Sequence, residues 1–340
     1  MRLNSSDFEV FWREAARPVP VVIVGGGRWG RVWASVISGA RKTGSGITIV
    51  ARQNHSEARE WMIAGGFRDM TVTDSIASAL NSRPRPEIAI IASRPRDHVR
   101  DALEVLSAGI HVLVEKPIAS VSGDAARLVL VAASTDRLLG VGTEFALLPA
   151  FHQAASVMET WKAGDLAVSL EWEDPVDEVR HGIEKATHEE IDVLGDLLPH
   201  ALSIFRILKP NAGFTLSDRR LASGKRGGLV LRDREGCPFR LSCNAEGTSR
   251  RRFLHIESGG VRGSVDFSSH PAKIVVQDNA VELLPELVAM DSTLRLEFGA
   301  FLAEAAGLVS STPLTSGLDE LVALHAALEV PENTGDGATE

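Results

Sequence analysis

An aspartate and a histidine, Asp196 and His200, stand four residues apart in a mostly apolar segment. If that segment is helical, both side chains lie on one face and can reach a single ligand. Histidine titrates near neutral pH, so it can give or take a proton while an aspartate orients its ring. The spacing makes Asp196 and His200 candidates for a catalytic pair, and the alternative is a purely structural pair in an apolar helix. Pro199 directly precedes His200, so we expect the helix to kink there or to restart with Pro199 in its first turn.

A glycine-rich loop, Gly25-Gly26-Gly27-Arg28-Trp29-Gly30, fits the pattern G-x-G-x-x-G. It follows the β-branched run Val21–Val24 and opens a helical stretch, the context in which this pattern indicates a dinucleotide site. Glycines allow a tight turn and close approach of a pyrophosphate to the helix N-terminus. We therefore expect Gly25, Gly27, Arg28, Trp29 and Gly30 to bind a cofactor.

The end of the second strand distinguishes between cofactors. NAD sites usually carry a carboxylate there, which binds the ribose hydroxyls. This strand instead ends Val50-Ala51-Arg52-Gln53, and Arg52 offers a planar cation suited to a 2′-phosphate. The sequence therefore favours NADP(H) over NAD(H), with Arg52 and Gln53 in the cofactor site.

A lysine follows another apolar strand in the stretch His111–Pro117, which ends Glu115-Lys116-Pro117. The carboxyl end of a parallel strand is where a doubly wound fold places its ligands. A lysine beside a nicotinamide can polarise a carbonyl or help to donate a proton. We therefore expect Lys116 among the catalytic residues, and an ordinary surface lysine is the alternative.

Short apolar strands alternate with helices from residue 21 to residue 141, which predicts βαβ units and a parallel sheet. From about residue 143 the pattern changes to a series of strands separated by glycine-bearing turns, as in antiparallel hairpins. We predict an α/β protein with an N-terminal Rossmann domain (19–142) and a C-terminal α+β domain on a mostly antiparallel open sheet (143–330). The small, polar tail, residues 331–340, is expected to be disordered.

Composition sets the broad class of protein. The chain has 340 residues, of which 44% are hydrophobic and 24% charged, and 36 basic against 45 acidic residues give a net charge of −9. These values indicate a cytoplasmic protein that binds neither nucleic acid nor membranes, because nucleic-acid binders are usually basic and a membrane span needs about 20 apolar residues. Two cysteines make a disulfide framework or a cysteine metal site improbable, and no metal is expected. The run Arg250-Arg251-Arg252 fits a solvated sheet edge.

The chain resembles the Gfo/Idh/MocA oxidoreductase family, which includes glucose–fructose oxidoreductase and inositol dehydrogenase. The resemblance extends over residues 20–330 and rests on several stretches: Gly25–Gly30, Ile90–His98, Ala108–Pro117, Gly195–His200, a strand turn at Gly263, Glu297–Phe301 and Pro313–Ser316.

The resemblance implies roles for individual residues. The cofactor channel would be lined by Ser93, Arg94, Pro95 and His98. Glu115 and Lys116 would lie by the nicotinamide, with Lys116 shared between cofactor and substrate. His200 would exchange a proton with the reacting oxygen while Asp196 orients it. Relatives commonly pair through the second domain, which implies a homo-oligomer.

One stretch departs from the family pattern. Many sugar-oxidising relatives carry an Asn-x-Arg stretch after the last Rossmann strand, whereas this chain has Gly142-Thr-Glu-Phe-Ala146. Glu144 and Phe145 are therefore expected at the substrate, in a pocket that is less basic and more apolar.

The leading hypothesis is an NADP(H)-dependent reductase or dehydrogenase. It would transfer hydride between the nicotinamide and the carbonyl or carbinol carbon of a small sugar-like or polyol-derived substrate, in the reductive direction. Glu144 would suit a cationic substrate, so reduction of a C=N bond in natural-product biosynthesis is an alternative. A second alternative is a non-catalytic NADP-binding sensor or regulator, because fold does not prove function.

Overall fold

The computed structural model describes residues 1–42, 46–161, 165–176, 179–180, 183–184, 191–290 and 292–330. Its helices, in chain order, are α1 (Ser5–Glu14), α2 (Arg28–Arg41), α3 (His55–Ala64), α4 (Ile76–Leu80), α5 (Pro95–Ser107), α6 (Ser122–Thr135), α7 (Pro149–Met158), α8 (Val193–Leu208), α9 (Pro285–Val288), α10 (Thr293–Ala305) and α11 (Leu318–Glu329). A 3-10 helix covers Glu144–Leu147. The tail predicted to be disordered, residues 331–340, lies outside the described residues.

The strands of the first half are β1 (Val21–Val24), β2 (Ile47–Val50), β3 (Thr71–Thr73), β4 (Ile88–Ile91), β5 (His111–Val114) and β6 (Leu139–Val141). They form one parallel sheet in the order β3-β2-β1-β4-β5-β6. Every residue of β1 and β4 is buried, as expected for strands covered by helices on both faces. The strand order reverses between β1 and β4, and ligands of this fold bind in the crevice at that point. The predicted Rossmann domain is confirmed, although the sequence did not reveal β3 and α4.

The later strands are β7 (Ala167–Pro175), β8 (Val179–Arg180), β9 (Ile183–Glu184), β10 (Thr215–Ser223), β11 (Arg226–Arg232), β12 (Pro238–Gly247), β13 (Arg251–Ser258), β14 (Val261–Asp266), β15 (Lys273–Val276) and β16 (Asn279–Val281). Eight of them form a second sheet in the order β10-β11-β12-β7-β13-β14-β15-β16, and β8 pairs with β9. Pairing in the second sheet is antiparallel except between β7 and β12. The mostly antiparallel sheet is confirmed, but β10 and β16 were not predicted.

Helix α8 lies against β11 and β12 and carries Asp196 and His200. Asp192 caps its first turn by accepting a hydrogen bond from the backbone N–H of Gly195 over 2.8 Å. The helix continues through Pro199 without a break, so the expectation that it restarts there is wrong. Proline only removes the hydrogen bond to the Gly195 carbonyl, and almost every side chain from Leu197 to Leu208 is buried and holds the helix in place.

The last two long helices pack back onto the helices of the parallel sheet, α10 against α1 and α2, and α11 against α6. Gly299 lets α10 approach α1, because a Cβ there would lie 1.7 Å from the carbonyl oxygen of Phe11. The segment between α10 and α11 is joined to β6, since the carbonyl of Leu314 accepts a hydrogen bond from the backbone of Val141. These contacts fix the backbone that leads into Glu144. No helix among the described residues is long and apolar enough to span a membrane.

Candidate active site

A cavity of about 540 Å³ opens where the carboxyl ends of the parallel strands face helix α8. One end is lined by the glycine loop and by polar residues that follow β2 and β4. The other end is lined by residues that follow β5 and β6 and by residues of β7 and α8. The lining residues are Gly25, Gly26, Gly27, Arg28, Trp29, Val50, Arg52, Gln53, Asn54, Ala92, Ser93, Arg94, Asp97, Arg100, Lys116, Glu144, Phe145, Trp172, Asp174, Asp196, Leu197 and His200.

The glycine loop has the backbone geometry that a bound dinucleotide requires. Gly25 has φ of 129°, and a Cβ there would lie 2.3 Å from the carbonyl oxygen of Ala92. A Cβ on Gly30 would lie 1.7 Å from the carbonyl oxygen of Gly25, so this glycine lets the first turn of α2 pack against the loop. Gly27 is the N-cap of α2 and lines the cavity. The N-terminus of the helix thus meets open space, and the loop fits a pyrophosphate.

Three arginines line the end of the cavity that is formed by the residues following β2 and β4. Arg52, which follows β2, forms a two-pronged ion pair with the buried Asp101, at 3.0 Å and 2.9 Å. Arg100 donates to the same carboxylate at 3.0 Å, and Arg94 donates to the side-chain oxygen of Gln53. Because Asp101 holds two of these guanidinium groups, their planes are fixed before any ligand binds.

Lys116 and Asp196 join the two halves of the site. The Lys116 ammonium donates a hydrogen bond to Oδ1 of Asp196 over 2.7 Å, which connects the end of β5 to helix α8. Although burial lowers the pKa of Lys116, the charge of Asp196 and this hydrogen bond raise it above its usual value. Lys116 is therefore a cation at neutral pH and can polarise a substrate oxygen.

His200 is enclosed by aromatic rings and is only 2% exposed. Its ring stacks on Trp172 with the centroids 5.5 Å apart and the planes 10° from parallel. The ring of Phe145 contacts it edge-on at 5.2 Å, and its Nε2 lies 3.8 Å from Oε2 of Glu144. Two rings thus fix the plane of the imidazole. The predicted role of Asp196 in orienting His200 stays a prediction, and the hydrogen bond described above joins Asp196 to Lys116.

A buried ion pair supports Trp172. Asp174 accepts a hydrogen bond from the indole nitrogen of Trp172 over 3.2 Å and one from Nε of Arg252 over 3.1 Å. The Arg252 guanidinium lies 4.3 Å from the centre of the Trp172 ring. Arg252 is only 3% exposed, so the interpretation of residues 250–252 as a solvated edge is wrong for this residue. Strand β13 turns it toward β7, where Asp174 compensates its charge.

Four of the predicted site residues lie behind the cavity wall: Gly30, Pro95, His98 and Glu115. His98 is buried, and its ring nitrogens bond the carbonyl oxygens of Pro117 and Ser93. Glu115 accepts a hydrogen bond from the indole nitrogen of Trp33 over 2.6 Å. These residues hold the loops that line the cavity. The other predicted residues lie in the wall itself.

No sequence motif singles out Trp172, Asp174 or Arg252 as site residues. Trp172 and Asp174 alternate with exposed or half-buried positions along β7, which accounts for their burial but does not mark them as site residues. Arg252 is likewise buried between the exposed Arg251 and the half-buried Phe253. Pairing of Arg252 with Trp172 in the β7–β13 register brings them together, and register is not encoded in spacing.

Residues 19–143 match the model of an oxidoreductase family with an NAD-binding Rossmann fold, GFO_IDH_MocA. The N-terminal domain is thus similar to the Rossmann domain of the Gfo/Idh/MocA oxidoreductase family. This finding confirms the expected resemblance and the expected NAD(P)-dependent oxidoreductase. No curated protein matches the chain at a significant level.

Solved structures with the same fold cover nearly the whole chain. UDP-N-acetylglucosamine 3-dehydrogenase from Acidithiobacillus ferrooxidans is 22% identical with a TM-score of 0.71, covering 91% of this chain and 95% of its own. A 3-ketoreductase from Actinomadura kijaniata, in complex with TDP-benzene and NADP, is 17% identical with a TM-score of 0.69, covering 91% and 95%. An inositol dehydrogenase homologue from Azotobacter vinelandii, complexed with NADH and myo-inositol, is 16% identical with a TM-score of 0.72, covering 93% and 97%. The likeness extends the shared fold through the second sheet.

Proposed function

We propose that the chain is an NADP(H)-dependent oxidoreductase that reduces a carbonyl, or oxidises the corresponding carbinol, of a small sugar-like or polyol-derived substrate. One observation carries the proposal: Lys116 from the end of β5 and Asp196 and His200 from helix α8 reach one cavity, and the glycine loop opens into the same cavity. The names of the structural relatives support a sugar-like substrate, since they act on a UDP-sugar, reduce a 3-keto group or bind myo-inositol. Reduction is the proposed direction.

Each catalytic side chain has a distinct task in this proposal. The bound cofactor supplies the site that gives or accepts hydride. Lys116, held by Asp196, polarises the substrate oxygen, and His200 gives or takes its proton. Phe145 and Glu144 contact the substrate, and Trp172, covered by His200 and Arg252, holds the His200 ring in place at the cavity wall.

Arginine residues favour NADP(H) over NAD(H) in this proposal. Arg52, Arg94 and Arg100 lie at the end of the cavity where a ribose 2′-phosphate would be placed by a Rossmann domain. Asp97 and Asp101 compensate two of the three charges, which leaves this end suited to an anion. We assign cofactor binding to residues 19–142 and substrate binding to residues 143–330.

We also propose a homo-oligomer that forms through the second sheet. Helices α7 and α8 pack on one face of this sheet. Along β12 buried and exposed side chains alternate, so the opposite face is open to a second copy. Light scattering coupled to size-exclusion chromatography tests this assignment: a dimer or larger assembly supports it, and a monomer contradicts it.

The test of the function is NADPH consumption with a panel of keto-sugars and other carbonyl compounds. Lys116→Ala and His200→Ala should each lower turnover at least about 100-fold, the scale of a lost acid–base group. Lys225→Ala and His255→Ala, at exposed positions away from the cavity, are the matched controls and should be silent. Near-normal turnover in both site variants would refute the assignment. NADPH binding without turnover on any carbonyl would favour the sensor hypothesis.

One observation favours the imine alternative: Glu144 lies in the cavity wall beside His200. A carboxylate there would stabilise a cationic C=N substrate more than a neutral ketone. Glu144→Gln should therefore lower activity on imines more than activity on keto-sugars if C=N reduction is the reaction. Equal effects on both classes would argue for the carbonyl reaction.

A further inference from the structure

The 3-10 helix that carries Glu144 and Phe145 ends in carbonyl groups that need hydrogen-bond donors. The third residue after Ala146 is Pro149, which has no backbone N–H to donate. The side chain of His152, on α7, supplies a donor, since its Nε2 lies 2.8 Å from the carbonyl oxygen of Ala146. A side chain that does not line the cavity therefore holds the backbone next to Phe145.

The other ring nitrogen of His152 ties the same side chain to the amino-terminal part of the chain. Its Nδ1 accepts a hydrogen bond from the backbone N–H of Leu3 over 2.9 Å. Because a backbone N–H can only donate and a carbonyl oxygen can only accept, the ring is assigned the neutral tautomer with its hydrogen on Nε2. Burial lowers the pKa of His152 to about 4, which agrees with a neutral ring at neutral pH. Each ring nitrogen thus holds a different segment of the chain.

Residues 2–14, which we call the amino-terminal brace, are packed against the rest of the molecule. Asn4 caps helix α1 and forms a capping box with Asp7, so the helix begins at a fixed point directly after Leu3. Phe8 is buried, and its ring contacts the His152 ring edge-on with the centroids 5.3 Å apart. Helix α1 packs along α10, as described above. The brace therefore presents a fixed N–H to His152.

The brace also contacts the end of the helix that carries His200. Arg2 donates from Nε to the carbonyl oxygen of Ile207 over 3.1 Å and from Nη2 to that of Leu208 over 3.0 Å. The last carbonyl groups of a helix have no partner within it, and a cation suits the negative end of the helix dipole. Since Phe145 contacts His200 edge-on at 5.2 Å, both partners of this contact belong to elements that the brace holds.

We propose that His152 is a positioning residue for the reaction: its two hydrogen bonds join the amino-terminal brace to the 3-10 helix and thereby fix Phe145 against the ring of His200. The proposal rests on the proposed function, in which His200 gives or takes the proton of the substrate oxygen. A displacement of about 1 Å that begins far from the reacting atoms can cost about 100-fold in rate. The glycine loop lies at the other end of the cavity, so NADPH binding should not depend on His152.

Substitutions at His152 separate its two hydrogen bonds. The amide of His152→Gln lies near the position of Nε2 and keeps a donor for Ala146, whereas the amide of His152→Asn lies near Nδ1 and keeps only an acceptor for Leu3. His152→Phe keeps a ring and removes both bonds. We expect kcat for carbonyl reduction to fall at least about tenfold in His152→Asn and His152→Phe, with KM for NADPH unchanged. His152→Gln should keep most of the wild-type kcat.

His111→Asn is the matched control. Nδ1 of His111 also accepts a backbone N–H, that of Leu138 over 3.0 Å, but at the amino end of β5, away from the cavity. This variant should keep the wild-type kcat at temperatures where it is folded. The proposal is overturned if His152→Asn keeps full kcat, or if His111→Asn loses as much. Should His152→Asn not fold, the same comparison is made with His152→Phe.

A second measurement needs neither cofactor nor substrate. The ring of Phe145 lies edge-on to that of Trp172 with the centroids 5.0 Å apart, so movement of Phe145 changes the ring-current shift of the Trp172 indole N–H. In proton–nitrogen NMR spectra this signal, assigned with Trp172→Phe, should move in His152→Asn and stay in place in His111→Asn. An unmoved signal in His152→Asn would overturn the positioning role. Absence of turnover in wild type would overturn the proposed function instead, and the NMR result would still decide whether His152 positions Phe145.

Discussion

Substituting Asp196 by asparagine tests the ion pair that joins the two halves of the site. The change keeps the shape of the side chain but removes the charge that lies 2.7 Å from the Lys116 ammonium. Burial still lowers the pKa of Lys116 in the variant, but the Asp196 charge, the largest influence that raises this pKa, is gone. We expect the variant to be less stable at neutral pH. We also expect lower turnover, because a smaller fraction of Lys116 is charged and the Asp196 carboxylate no longer holds its ammonium group.

The solvent exposure of the two side chains sets the expected loss in the free energy of unfolding. Breaking a fully buried ion pair costs about 3–5 kcal/mol, and a hydrogen bond to a charged group contributes about 1.5–3 kcal/mol. The side chains of Lys116 and Asp196 are 22% and 30% exposed, so solvent reduces the larger figure. We expect a loss of about 2 kcal/mol in the free energy of unfolding. Loss of the Asp196 charge should also lower the pKa of Lys116, because that charge is the largest influence that raises it.

The pH dependence has a definite sign. In wild type a raised lysine pKa stabilises the fold at neutral pH, and this contribution is lost only as the pH rises through the folded-state pKa. In Asp196→Asn the lysine pKa falls below its unfolded value, so the variant regains stability as the pH approaches 10. The gap between the two proteins should therefore be largest at pH 7 and narrower at pH 10.

Urea unfolding followed by circular dichroism at both pH values measures this gap. Asp218→Asn is the control, because Asp218 pairs with Arg220 on the surface at 3.7 Å and surface pairs contribute about 0–1 kcal/mol. The reasoning is refuted if Asp196→Asn is no less stable than Asp218→Asn at pH 7, or if its gap to wild type widens with pH.

Three further outcomes are expected. Gly30→Ala should weaken NADPH binding at least about tenfold in a fluorescence titration, because its Cβ would overlap a loop carbonyl, whereas Gly39→Ala, in open space on the same helix, should stabilise the protein by about 0.5–1 kcal/mol. Arg252→Met should destabilise the protein by about 3–5 kcal/mol in urea unfolding because it removes the cation that compensates the buried Asp174 carboxylate, and the exposed Arg251→Met should be nearly neutral. Burial lowers the pKa of His152 to about 4, so wild type should lose about 3 kcal/mol of stability between pH 6.5 and pH 4, a loss that His152→Gln should not show. Equal NADPH binding by Gly30→Ala and Gly39→Ala would contradict the first expectation, and equal stability of Arg252→Met and Arg251→Met would contradict the second. Unchanged stability of wild type between pH 6.5 and pH 4 would contradict the third.

Much of the fold could be predicted because its signals are local. The run Val21–Val24 is apolar at every position, and the glycine loop follows it directly, so the first βα unit is visible in the sequence. Strand β3 was missed because Thr71–Thr73 is short, partly exposed and without a clear period. Strand β10 was missed because Thr215–Ser223 is mostly exposed and polar.

Site residues could be predicted only where the functional side chains lie close together in one stretch of the chain. Asp196 and His200 are visible as a spaced pair, yet the structure joins Asp196 to Lys116, which is 80 residues away. Burial of Arg252 depends on strand register, and the buried position of Glu297 depends on α10 packing back on the first half of the molecule. Contacts of this kind arise from tertiary packing and leave no spacing pattern.

The central claim, that the cavity binds NADP(H), is tested most directly by calorimetric titration of NADPH and NADH. The account predicts saturable binding of one NADPH per chain, tighter than NADH, with the preference lost in Arg52→Ala. Arg59→Ala, an exposed arginine on α3 outside the cavity, should leave the preference unchanged. Equal or tighter binding of NADH to wild type would contradict the role of Arg52, and binding of neither nucleotide would contradict the oxidoreductase itself.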